Sequence, residues 1–318
     1  MTEPVAVVGA SLVGRSWAIV FARAGHPVRL WDSSAAVLEE ALDSIAGGLH
    51  ELAELGLLGE ETAAVRARVA AAGSLGDAAE SAGYVQECTS ESLDSKRAVF
   101  EQLDEAAPQE CVLASSSSTL RTSLFASTLP GRGRCLVAHP INPPHLAPIV
   151  ELSPAPFTEQ WAVERARELH EQAGMSPILV RREIDGFVLN RLQAALLAEA
   201  WQLVADGYVS VDDVDRTVRD GLGLRWSFMG PFETIDLNAP GGLGDYARLY
   251  GRNLQALVRD RRYGELEDAL IDTVEAERRA IIPRDELAAR QAWRNRRLAR
   301  LAAHRKTVET EEGTSRER

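Results

Sequence analysis

Between Pro4 and Val180 the chain alternates between two rhythms. Short apolar runs, often β-branched, occur at Pro4–Val8, Val28–Trp31, Tyr84–Gln86, Cys111–Ala114, Cys135–Ala138, Ile149–Leu152 and Pro177–Val180. Several are separated by stretches whose apolar residues recur at helical spacing. Strands spaced by helices in this way form a largely parallel sheet wound on both faces, an α/β fold. Residues 35 to 82 are alanine-rich and read as helical, with breaks near Gly47-Gly48, from Gly56 to Gly59 and from Gly73 to Gly76. From Asp185 onward the strand-like runs stop. Asn190–Ala205, with Leu192, Leu196, Leu197, Trp201 and Leu203, is apolar almost all round, which predicts a helix buried on more than one side. Ser210 followed by Asp213 resembles a capping box for the next helix. The pattern divides the chain into residues 1–185, an all-α domain over 186–306, and a charged, aperiodic tail over 307–318 that should fray.

The first strand runs into a turn that narrows the class. Val5–Val8 leads to Gly9-Ala10-Ser11-Leu12-Val13-Gly14, then to a helical stretch from Arg15 to Ala24 closed by Gly25. The strand Val28–Trp31 follows and ends in Asp32, eighteen residues after Gly14. Strand, glycine turn, helix, strand and acidic residue make a dinucleotide-binding βαβ unit. Its helix N-terminus faces a pyrophosphate and its carboxylate accepts from the adenine ribose. The first domain therefore reads as a Rossmann-type, doubly wound, mostly parallel sheet. Ser11 is off pattern, because the middle position of this turn normally carries glycine. If its backbone is left-handed, the serine costs on the order of 1 kcal/mol; otherwise its hydroxyl is free to bond a phosphate. Asp32, with no arginine in Ser33-Ser34-Ala35, favours NAD over NADP.

Candidate chemistry lies further along, in Ala138-His139-Pro140-Ile141-Asn142-Pro143-Pro144 and in Ile149-Val150-Glu151-Leu152. An imidazole at the end of one apolar strand and a carboxylate within the next meet if the strands are neighbours. The pair then makes a general base with its orienting partner. A buried structural ion pair would use the same residues, so the rest of the chain has to decide.

Composition narrows the setting. With 318 residues, 45% of them hydrophobic, the chain is long enough for a large core in two domains. A net charge of −12 disfavours nucleic acid and anionic membrane as partners. Cys88, Cys111 and Cys135 lack metal-ligand spacing and lie in or beside apolar runs, as expected of a reduced, cytoplasmic protein. No apolar segment reaches spanning length, the opening strand leaves no room for a signal peptide, and the six scattered histidines predict no metal site.

Further motifs carry a resemblance. They are Gln86-Glu87-Cys88 through Glu91 to Lys96, the serines Ser115–Ser118, Ala138–Glu151, Gly186-Phe187-Val188-Leu189-Asn190-Arg191-Leu192-Gln193, and Gly221–Pro231. With these, from Val5 to about Ala303, the chain resembles the L-3-hydroxyacyl-CoA dehydrogenase family. The resemblance implies that His139 is a catalytic base, held by Glu151, that takes the proton of a secondary alcohol as hydride leaves for nicotinamide. It implies that Ser118 bonds substrate or nicotinamide and that Asn190 holds the substrate oxygen. Gly9, Ser11, Leu12, Val13, Gly14, Asp32, Glu91, Lys96 and Asn142 fall on or beside the family's NAD positions. It also implies a homodimer built through the second domain. Each residue has a plainer reading. Ser115–Ser118 suits a polar strand end, Asn190 a helix start, Lys96 a solvated helix face, and Trp226 and Phe228 a helical core.

The substrate is open between several acids. Leu49–Val69 sets Glu51, Glu54, Glu60 and Glu61 against Arg66 and Arg68, a poor surface for the phosphates of coenzyme A. That balance favours a small free 3-hydroxy acid. Gly230-Pro231-Phe232-Glu233-Thr234 and Leu237-Asn238-Ala239 resemble the branch of the family that oxidises L-gulonate. Arg191 or Arg225, with Trp226 nearby, would then meet the substrate carboxylate. A 3-hydroxyacyl-CoA, carnitine or a polyketide-type ketone is the alternative, as is a non-catalytic, crystallin-like protein on the same fold.

Overall fold

The computed structural model describes residues 2–259 and 268–311. Eight strands form one sheet: β1 Val5–Val8, β2 Val28–Trp31, β3 Val69–Ala71, β4 Tyr84–Glu87, β5 Val112–Ser115, β6 Cys135–Pro140, β7 Ile149–Pro154 and β8 Ser176–Leu179. Their order is β3-β2-β1-β4-β5-β6-β7-β8. The first six are parallel, β7 runs antiparallel to β6, and β8 is parallel to β7. Helices α1 Leu12–Arg23, α2 Ala35–Glu54, α3 Thr62–Arg66, α4 Leu75–Ala79, α5 Leu93–Ala106, α6 Thr122–Phe125 and α7 Gln160–Gln172 connect the strands. Every residue of β1, β4, β5 and β6 is buried. That explains why these strands read as continuous apolar runs with little alternation. Two apolar clusters result, one around Trp17, Phe21 and Tyr84 and the other around Phe100 and Phe125.

Two readings of residues 35–82 are corrected. Gly47-Gly48 does not break α2, which runs unbroken from Ala35 to Glu54. A Cβ on Gly48 would stand 2.9 Å from Ile19 Cδ1, so the glycine lets α1 and α2 approach closely. The edge strand β3 was not expected. It has three residues, two of them alanine, and gains its ladder only from pairing with β2.

The chain forms two compact units. The first comprises residues up to Arg191 together with those from Gln291 onward, and the second is Leu192–Arg290. The division falls inside α8, Leu189–Ala205. The closing helix Leu287–Glu311 runs past Thr307, where fraying was expected. Ala299 and Leu298 join the first unit's apolar cluster, and Lys306 Nζ donates to Gly56 O at 2.9 Å. Residues 312–318 lie outside those described.

Within the second unit are the helices Val211–Arg216, Gly223–Trp226, Pro231–Asp236, Gly242–Arg259 and Asp268–Ile281. Ser210 caps the first of them, its Oγ accepting from Asp213 N. Among the described residues of this unit only Val211 and Thr234 are buried. The expected burial of α8 on several sides is overturned within one chain, since Leu192 is 63% and Leu197 47% exposed. A helix apolar all round needs layers on more than one side. Beside Trp201 of α8, Val211, Val214, Asp215 and Val274 of this unit line a hollow of about 180 Å³ that no side chain among the described residues fills. No helix among the described residues is long and apolar enough to cross a membrane.

Candidate active site

The sheet order reverses direction between β1 and β4, and ligands of doubly wound sheets bind in the crevice at that switch point. Gly9 leaves β1 with φ +101°, and a Cβ there would lie 2.6 Å from the Cys88 carbonyl group beyond β4. Gly14 is tighter still, since its Cβ would stand 1.8 Å from Gly9 O. Both glycines are required by space, and Gly9 by conformation as well. Ser11 has φ −68° and ψ −168°, ordinary extended backbone, so the left-handed strain considered above does not arise. Its side chain does not cap α1, whose first N–H groups at Leu12 and Val13 remain available to an anion.

Asp32 is held by two backbone donors, Ala10 N–H at 2.8 Å and Ser34 N–H at 2.9 Å. It lines a hollow of about 550 Å³ together with Gly9, Ser11, Trp31, Cys88 and Thr89. Turn, helix start and carboxylate thus surround one cavity, as an adenine dinucleotide requires. A larger hollow of about 660 Å³ surrounds Asp104, Gly131 and Arg134, where Arg134 is ion-paired with Asp104 at 2.8 Å. It holds no histidine among its lining residues.

His139 and Glu151 are register partners across the antiparallel pair β6–β7. His139 Nδ1 stands 2.8 Å from Glu151 Oε2, with the two residues 5% and 1% exposed. Because the carboxylate accepts, Nδ1 carries the proton, and the lone pair of Nε2 is left free to accept one. Glu151 Oε1 accepts the N–H groups of Val188 and Leu189, each at 2.9 Å. Burial pushes the Glu151 carboxyl up. The hydrogen bonds from His139, Leu189 and Val188 outweigh it and hold the group below the usual carboxylate range. The ring of Phe187 packs on His139 with centroids 5.4 Å apart. Phe187 sits at φ +48° after Gly186 at φ +76°, a left-handed pair that turns the backbone toward Glu151.

Ser118 and Asn190 also come together. Asn190 Nδ2 donates to Ser118 O at 2.8 Å, and Ser118 N–H donates to Glu91 Oε1 at 2.9 Å. The backbone of Ser118 is held from both sides, and its hydroxyl makes no hydrogen bond among the described residues. Asn142 is exposed in the loop three residues past His139. Arg191 is exposed close to Gly186. Arg225 and Trp226 belong to the second unit, where Trp226 is 40% exposed.

Lys96 is not on the solvated helix face that its plainer reading expected. It is 1% exposed, with Nζ 2.9 and 3.1 Å from the two carboxylate oxygens of Glu87 and 3.6 Å from Glu91 Oε2. Glu87 was quoted in the sequence but given no role. The signal that singled out Glu151, a carboxylate inside an apolar strand, applies equally to it. Ser115 Oγ at 2.5 Å, and Thr89 Oγ1 and Thr89 N–H at 2.6 Å each, also donate to it.

Sheet order, turn and buried dyad together define a Rossmann-type dehydrogenase fold. The sequence profile of the 3-hydroxyacyl-CoA dehydrogenase NAD-binding domain matches residues 4–184, and that of its C-terminal domain matches residues 186–281. The chain belongs to the 3-hydroxyacyl-CoA dehydrogenase family, and its first domain is that family's NAD-binding domain. It is 43% identical over 305 residues to the lambda-crystallin homolog of Bos taurus, covering 94% of each. It is 33% identical over 313 residues to the L-carnitine dehydrogenase of Nocardiopsis dassonvillei, covering 98% of this chain and 94% of that protein. A solved structure of 5-formyl-3-hydroxy-2-methylpyridine 4-carboxylic acid 5-dehydrogenase, described as an NAD⁺-dependent dismutase, superposes with a TM-score of 0.82. That pair is 26% identical, over 99% of this chain and 100% of the other.

Proposed function

We propose that this protein is an NAD-dependent dehydrogenase of the 3-hydroxyl group of a small 3-hydroxy acid, with L-gulonate the first candidate. The observation that carries this reading is the buried His139–Glu151 contact of 2.8 Å on a sheet whose switch point is built for a dinucleotide. Nε2 of His139 takes the hydroxyl proton while NAD, when bound, accepts the hydride. Glu151 holds the imidazole through Nδ1 and stabilises it once protonated. The hydroxyl of Ser118 and the amide of Asn190 donate to the reacting oxygen, opposing the charge that grows there. Asn142 stands beside the nicotinamide, and Arg191 or Arg225 with Trp226 receives the acid group. Glu91 belongs to the cofactor side of the same crevice. Asp32 accepts from the free ribose hydroxyls and repels a 2′-phosphate, so NAD is used in preference to NADP.

The exposed apolar face of α8, with Leu192, Leu196 and Leu197, supports a homodimer formed through the second unit. The acidic balance of Leu49–Val69 supports a free acid over a coenzyme A ester. The likeness to carnitine dehydrogenases favours carnitine as the second reading, with the same base and cofactor. NAD reduction measured with L-gulonate, carnitine, 3-hydroxybutyrate and 3-hydroxybutyryl-CoA tests the proposal. Turnover only with the thioester would refute the free-acid reading. Lack of turnover with all four, and of NADH binding, would favour the non-catalytic reading.

A further inference from the structure

A buried ion pair closes the β4 side of the crevice and takes no part in the proton transfer proposed above. Lys96, on α5, and Glu87, at the end of β4, are 1% and 0% exposed. One ammonium faces two carboxylates: Glu87 at 2.9 and 3.1 Å, and Glu91 at 3.6 Å. The second carboxylate shapes the loop after β5. Glu91 Oε1 accepts Ser117 Oγ at 2.6 Å, Ser118 N–H at 2.9 Å, Thr119 N–H at 2.8 Å and Thr119 Oγ1 at 2.9 Å. Glu87 anchors the strand end beneath that loop through Ser115 Oγ, which in turn accepts Ser117 N–H at 3.1 Å.

We propose that Lys96 is a positioning residue: its buried ammonium holds Glu87 and Glu91 together, and through Glu91 it fixes the turn that aims the Ser118 hydroxyl at the reacting oxygen. The inference rests on the reading of Ser118 given above. Without the ammonium, two like charges would face each other at the base of the loop. The side chain of Glu91, already 35% exposed, would then turn to water and release four donors of the loop. Lysine suits the position because a compact ammonium supplies three donors within a small buried volume.

A double-mutant cycle between Lys96→Met and Ser118→Ala tests this. Turnover is measured with the best substrate of the four above, and NADH affinity by fluorescence titration. Lys96→Met is expected to lower kcat about tenfold while the NADH dissociation constant moves less than about threefold. In the Ser118→Ala background the same change should lower kcat less than about twofold, because the serine it acts through is gone. Should Lys96→Met fail to fold, Glu87→Gln/Lys96→Met removes the stranded charge. Glu91→Ala cuts the chain of contacts at its exposed end, and its effect on kcat must likewise shrink to less than about twofold in the Ser118→Ala background.

Effects of Lys96 and Ser118 that multiply would overturn the proposal. So would a tenfold weaker NADH affinity at unchanged kcat, the mark of direct cofactor contact. Wild-type kcat in Ser118→Ala alone would remove the role of Ser118 first, and this inference with it.

Discussion

The two compact units solve the burial problem in opposite ways. In the first, the sheet buries whole strands and even closes polar groups inside itself. His170 is 0% exposed, 2.9 Å from Tyr84 OH, which donates to Gln86 Oε1, and Gln86 Nε2 bonds Ser116 Oγ and Ala138 O. In the second, Leu192, Leu224, Phe228, Phe232 and Leu257 are each at least 63% exposed in the single chain. A hydrogen-bonded sheet with helices on its faces is complete within one chain, whereas short helices without a shared layer leave apolar faces uncovered. The dyad and the turn therefore lie in the first unit, while the second leaves apolar side chains exposed.

The largest effects should come from separating reactivity from architecture within the first unit. His139→Ala removes the base, its ring contact with Phe187 and one partner of the buried Glu151 carboxylate. We expect kcat to fall by a factor of about 10² to 10⁴, with a loss of stability smaller than that of Glu151→Ala, since Glu151 keeps its two backbone donors. Glu151→Ala also strands His139 Nδ1–H and the two N–H groups at the start of α8. It should cost about 3–5 kcal/mol of stability in addition to turnover. Urea denaturation and steady-state rates on both variants check this. Equal stability losses would show that His139 is also structural.

This division of labour was only partly legible in the sequence. Seven of the eight strands of the first unit were read within a residue or two, because burial on both faces leaves short, continuous apolar runs; the short, alanine-rich edge strand β3 was missed. Glu151 and His139 were legible for the same reason: a charge or imidazole inside such a run needs a partner, and adjacent strands supply it. Contacts made at a distance left no trace. Gly48 reads as a helix breaker until Ile19 is found against it. Lys96 reads as a surface residue until α5 lays it over Glu87. The uncovered face of α8 could not be read either, since an all-round apolar helix predicts burial without saying by which chain.

The next effect concerns acid. Burial lowers the pKa of His170 to about 3, far under its ordinary value of 6.5. In the unfolded chain it titrates near 6.5. The folded state thus binds its proton later than the unfolded one, and the contribution is fully present above pH 6.5. It is lost as pH falls toward 3. Between pH 6.5 and 4 the wild type should lose about 3 kcal/mol through this group. His170→Gln should escape that portion, which urea midpoints at both pH values will read. Parallel pH slopes would remove His170 as the cause.

The uncovered face offers a comparable test in the second unit. Leu192→Glu with Leu197→Glu should weaken self-association by about 3 kcal/mol or more, roughly two orders of magnitude in dissociation constant. The first unit should keep its unfolding midpoint. Light scattering across a dilution series measures this. A wild-type chain that is monomeric throughout would sink the dimer reading and leave the exposed leucines without a partner.

The smallest effect is expected at the turn, where the sequence pattern raised an objection that the backbone removes. Glycine at the middle position would be favoured if the residue were left-handed or if its Cβ met a phosphate. Ser11 has φ −68°, so no conformational strain is stored there. Its side chain is exposed and bonds neither α1 nor the loop after β4 in the described contacts. Ser11→Gly should therefore change NADH affinity by less than about threefold, under 1 kcal/mol. Gly14→Ala, one helical turn away, should abolish binding, because its methyl group would stand 1.8 Å from Gly9 O. If Ser11→Gly instead tightened NADH more than tenfold, the hydroxyl would stand in the path of the pyrophosphate. The dinucleotide would then come closer to this turn than the open space at Ser11 suggests.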